Sequence, residues 1–236
     1  MKTASSNRGA VALAVSLLCA GPAVAQQVFT PPQGCTGTLT VQYTSCMVTN
    51  VWTCDDEPDG MQWVAMFGPD GPSQVRQVDA EFQWLVTYYF NPSGTRRMQT
   101  PAPDPESLTE LFATGYDTYD FTVVPEGSAP LRYVGFDEIT GDTVIDGEPL
   151  KTTSFGMTVY DTGGNAIYSL SGNQYASERH RLFFLGESWD PSAPADVTDS
   201  APMEFIYPGE AGFFSPNPLY GCDMMMSSYT PKEFHQ

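Results

Sequence analysis

Apolar and polar residues alternate with a period of two along much of the chain, most clearly between Leu131 and Gly186. Phe155, Met157 and Val159 alternate there with Ser154, Gly156, Thr158 and the amphipathic Tyr160. Successive side chains of a strand face opposite sides, so this pattern predicts a half-buried strand. Asp161-Thr162-Gly163-Gly164-Asn165 follows and predicts a tight hairpin, because these residues tolerate positive φ. Residues 167–170 form the return strand, 182–185 a fully buried one and 131–136 another upstream. Earlier in the chain, residues 36–43 and 46–53 read as a hairpin turning at Thr44-Ser45. Strands follow over 62–67 and 81–90, the second placing Phe82, Trp84, Val86, Tyr88 and Phe90 on one face. Gly68-Pro69-Asp70-Gly71-Pro72 and Asn91-Pro92-Ser93-Gly94 break the chain between elements. Residues 121–124 lead into the ladder, 203–207 make one more strand, and the Pro- and Gly-punctuated 208–220 crosses the sheet.

The period changes once. Leu108, Leu111 and Phe112 recur at i, i+3 and i+4, which marks one apolar face of a helix. Asp104 is placed to cap it, Pro105 to occupy its first position and Gly115 to end it. So short a helix needs tertiary packing to persist. The fold expected is mainly β: one antiparallel sheet, strongly curved or closed into a half-barrel or barrel, with one short packing helix, as a single domain over residues 26–236.

The N-terminus adds a location. Lys2 and Arg8, the apolar run 11–20 and Ala23-Val24-Ala25 have the layout of a secretory signal peptide over residues 1–25. Periplasmic or secreted destinations follow, and no later apolar run is long enough to span a bilayer. The full chain carries 28 acidic and 10 basic residues, a net charge of −18, and the leader removes two more bases. Such a surface repels nucleic acid and anionic head groups. Past the leader, Cys35, Cys46, Cys54 and Cys222 remain, which in an exported chain imply two disulfides. The hairpin register sets Cys35 opposite Cys54 and leaves Cys46 for Cys222, tying the C-terminal region to the first hairpin.

Candidate chemistry is sparse, and no cofactor is expected. Asp55, Glu57 and Asp59 before Gly60 are spaced like half a calcium loop, but Met66 stands where the bidentate glutamate belongs, and a charged turn is the simpler reading. His180, between Arg179 and Arg181, is read as solvating a strand edge; with no G-x-S-x-G turn, a histidine-dependent hydrolase is not expected. Met224-Met225-Met226 is read as ordinary packing beside Cys222, and Arg96-Arg97 as a local ion-pairing cluster. The function expected is therefore binding. Trp63, Trp84, Tyr88, Tyr133, Phe155 and Tyr168 fall on strands where they can line a concave face for an apolar ligand or a partner segment. The alternatives are a carboxylate-dependent hydrolase or lyase, which needs a cleft with two acids, and a cell-envelope interaction module, which needs an open edge or patch.

Overall fold

A computed structural model describes residues 29–222. The chain runs as a meander of antiparallel strands: β1 (Cys35–Tyr43), β2 (Met47–Cys54), β3 (Gln62–Gly68), β4 (Gly71–Val78), β5 (Trp84–Phe90) and β6 (Ser93–Met98). A single helix, α1 (Leu108–Thr114), precedes β7 (Tyr116–Pro125), β8 (Leu131–Ile145), β9 (Glu148–Tyr160) and β10 (Ala166–Ser177). The short β11 (Leu182–Phe184), β12 (Glu187–Trp189), β13 (Thr198–Asp199) and β14 (Pro202–Ile206) complete it. All belong to one 14-stranded sheet in which β1 to β10 pair in sequence and β14 returns to β1.

The sheet curls without closing. One apolar cluster gathers Leu39, Val41, Val51 and Val78 from the early strands with Leu150, Leu182, Phe184 and Phe205 from β9, β11 and β14. β9 and β11 lie far from β1–β4 in the hydrogen-bonded order, so only a curled sheet brings them together. Phe205 N donates to Asp146 Oδ2 across the seam between β14 and the β8–β9 turn, at 2.9 Å. At the other end, Thr44 Oγ1 from the β1–β2 turn donates to Asp199 O of β13, at 3.1 Å.

The outer face of β1–β3 is covered by the C-terminal crossing. Thr40 and Gln42 accept from the backbone N–H groups of Phe214 and Leu219 at 2.8 and 2.9 Å, while Asn50 Nδ2 donates to Ser215 O at 3.0 Å. Phe214 packs with Val48, Trp52, Ala65 and Phe67, and only a glycine at position 37 leaves room for its ring. The crossing ends at Cys222, disulfide-bonded to Cys46; the second bridge joins Cys35 to Cys54, the directly paired residues of β1 and β2.

Several boundaries differ from expectation for identifiable reasons. The β1–β2 turn takes Cys46 as a third residue, with φ 54°, and a bulge between Gly37 and Leu39 absorbs the shift. Asp104 does not cap α1. It exchanges backbone hydrogen bonds with Asp120, and Ser107 becomes the cap by accepting from Glu110 N. Gly115 ends the helix in the left-handed conformation, as expected. Strands β4 and β6, absent from the sequence reading, fill the gaps on either side of β5; Pro72 is tolerated because it stands at the start of β4.

Candidate functional site

The six aromatic residues expected to form one lining are divided between two faces. Trp63 stacks on Tyr88 at 6.3 Å and on Trp52 at 6.2 Å, on the outer face that Phe214 also covers. Trp84 and Tyr133 meet on the inner face, 6.0 Å apart, with Phe121 against both and Arg76 stacked 4.0 Å over the Trp84 ring. Phe155 pairs with Asp137, and Tyr168, half exposed, pairs with Val159. A bulge in the β4–β5 pairing explains the division. It sets Trp84 opposite Val78 while Tyr88 stays opposite Val75, and residues three apart on one strand face opposite sides. The expected common face for Phe82, Trp84, Val86, Tyr88 and Phe90 is thereby broken.

The curl encloses a space of about 70 Å³ between Tyr43, Val51, Arg76, Val78 and the segment Leu182–Leu185. Small-molecule sites occupy roughly 300–1,000 Å³, so this void holds no more than a few waters. An enclosed apolar ligand does not fit there.

Elsewhere in the fold lie three buried carboxyl groups. Asp117 and Asp137 occupy directly opposite positions of β7 and β8, and Glu106 comes from the segment leading into α1. Gln174 Nε2 donates to Asp137 Oδ1 at 2.6 Å, and the N–H of Ser107 to Asp117 Oδ2 at 2.9 Å. Burial pushes Asp137 up to about 7, the charge of Asp117 adding to it. Burial likewise lifts Asp117 to about 6, and Glu106 is raised well above the usual range by burial and by both aspartates. The Tyr119 hydroxyl, also raised by burial, stands beside them and is accommodated by Gly135, where any side chain would strike it. The carboxylates line neither the void nor the groove described below. Sequence periodicity contained the signal: Asp117 is in phase with Tyr119, Phe121 and Val123, and Asp137 with Tyr133.

His180 does not solvate a strand edge. Its ring is 14% exposed and lies 3.4 Å from Oε1 of the buried Glu148. Glu148 Oε2 accepts from Tyr207 Oη at 2.5 Å and from Arg179 at 3.0 Å, so three segments meet at this carboxylate. Burial lowers the His180 pKa, partly offset by Glu148. Arg96 and Arg97 form no ion pair among the described residues; they lie over the rings of Tyr89 and Tyr88 at 4.8 and 6.0 Å. The acidic loop serves Trp63, whose Nε1 donates to Glu57, which also accepts from Gln77. No trio of His, Cys, Asp or Glu placed to hold a metal occurs among the described residues. Met224-Met225-Met226 and residues 1–25, where a leader is expected, lie outside them.

A groove of about 710 Å³ runs beside the β8–β9 hairpin. Val144, Pro149, Leu150 and Ala176 give it an apolar floor, and Asp142, Lys151, Glu178 and Arg179 its charged rim. Lys151 bridges Asp142 at 2.6 Å and Glu178 at 3.8 Å. Comparison of the chain with known protein families, curated proteins and solved structures returns no match.

Proposed function

We propose that the chain is an exported, non-catalytic binding protein that takes a segment of a partner protein in the groove beside the β8–β9 hairpin. One observation carries this reading: the groove is open, apolar along its floor and bordered by both signs of charge, whereas the void behind Leu182–Leu185 is only about 70 Å³. Apolar side chains of a partner would bury against Val144, which is 66% exposed, while its polar groups meet the rim. Two disulfides, and no helix among the described residues long and apolar enough to cross a membrane, are consistent with a place outside the cytoplasm. A hydrolase would need two carboxylates free to work across a cleft; Glu106, Asp117 and Asp137 are buried away from this groove, and its own Asp142 and Glu178 are both paired with Lys151.

The test is photo-crosslinking from position 144 in cells that export the protein naturally. A discrete adduct is expected at that position, lost on Lys151→Glu, and none from a probe at the exposed Ser128. Identical adducts from both probes, or none from either, would remove the reading.

A further inference from the structure

Glu106, Asp117 and Asp137 are 6%, 2% and 2% exposed, yet no ion pair among the described residues reaches any of them. Asp117 and Asp137 share one face at directly paired positions, where like charges repel. Glu106 is almost fully buried beside the same two aspartates, and burial and their charges both favour its protonated form. Arg76 on β4 is the cation that faces it, and that guanidinium is engaged with Thr87 and the Trp84 ring. The other titratable groups turned toward the cluster are acidic or phenolic: Asp79 and Glu81 from the β4–β5 turn, Asp104 before the helix, Glu110 on α1 and Tyr119 on β7. Three adjacent carboxylates in this setting cannot all ionise without disrupting what covers them.

What covers them is a short element. α1 has seven residues, too few for stability of its own. It rests on the sheet through Leu108 and Leu111 against Phe82, Ile139, Ala176 and Phe183, and its capping residue Ser107 donates its N–H to Asp117. We propose that the three carboxyls form a proton-operated latch: shared protons hold residues 104–115 against the sheet, and full ionisation releases them. Phe82 and Phe183 lie between α1 and the interior void, so release uncovers the route inward. The groove and its occupant play no part in this.

The direction follows from the raised proton affinity. The closed form holds protons that the open form gives up, so the contribution of these carboxyls to closure is fully present below about pH 4 and weakens as the pH rises through about 6 to 7. Opening should grow about tenfold per pH unit for each proton released.

Hydrogen exchange on the full exported chain between pH 5 and 8, corrected for intrinsic rates, tests this. Amides of Leu111–Thr114 are expected to lose at least tenfold in protection across that range. At pH 8 they should be at least tenfold less protected than those of Val48–Val51 in β2. Glu106→Gln with Asp137→Asn should flatten the dependence; if that pair does not fold, Asp117→Asn takes its place. Helix protection that ignores pH, that equals the β2 value throughout, or that keeps its full pH dependence in the variants would overturn the latch. The wild-type arm decides even if no variant folds.

Discussion

Four donors converge on the carboxylate of Glu81: Ser107 Oγ at 3.1 Å, Thr109 N at 2.7 Å, Thr109 Oγ1 at 2.6 Å and Arg181 at 2.9 Å. Partial burial acts to raise its pKa, but the bonds from Thr109, the charge of Arg181 and the bond from Ser107 outweigh it, and Glu81 sits below the usual carboxylate range. A depressed carboxyl contributes stability above its unfolded pKa, near 4.5, and loses it as the pH falls through the lower folded value. Glu81→Gln should therefore cost about 1–2 kcal/mol at pH 7 in urea unfolding, and clearly less at pH 3. An equal cost at both pH values would contradict the assignment. His180 gives the opposite kind of check. Burial lowers its pKa, so its imidazole resonances should titrate with a midpoint below about 6.5. A midpoint above 7 would mean that Glu148 outweighs burial. Neither arrangement was legible in the sequence, because Glu81 and Arg181 are 100 residues apart and Glu148 and Tyr207 are 59 apart.

At the scale of elements, local chemistry predicted what local forces control. Gly115 ends α1 at φ 85°, where a side chain is strained, so Gly115→Ala should lower stability by about 1 kcal/mol in thermal or urea unfolding. No loss would show that the helix end relaxes freely. The Asp161–Asn165 turn also formed where expected, with Asp161 Oδ1 accepting from the N–H groups of Gly163 and Asn165 at 2.8 Å. The start of α1 did not, because the backbone of Asp104 found a partner in Asp120, a residue from another element. Trp84 failed for a related reason. Alternation places it with Tyr88, and only the pairing with β4 introduces the bulge that turns it inward.

At the scale of the molecule, two disulfides constrain very different lengths of chain. Cys35–Cys54 spans 19 positions and Cys46–Cys222 spans 176. In the chain-entropy account these contribute about 3 and about 5 kcal/mol, so replacing Cys46 and Cys222 by serine should destabilise the protein more than replacing Cys35 and Cys54. Urea unfolding without reductant gives the comparison, and the reverse order would mean that the long bridge closes a loop already held by the crossing. Gly221 belongs to the same joint: at φ 73° it passes the carbonyl of Thr44 so closely that a side chain there would collide.

The sequence by itself determined the class of fold, the Asp161–Asn165 turn, the pairing of the cysteines and the excess of acid, because each depends on neighbouring residues or on composition. Strand periodicity states that a residue faces one side; it does not state what lies there. The curl of the sheet, the opposed carboxyls of Asp117 and Asp137, the burial of His180 against Glu148 and the groove at the β8–β9 hairpin were decided only in three dimensions. They arise where strands distant in the chain are brought together, and the free energy of those contacts depends on burial that no local pattern records.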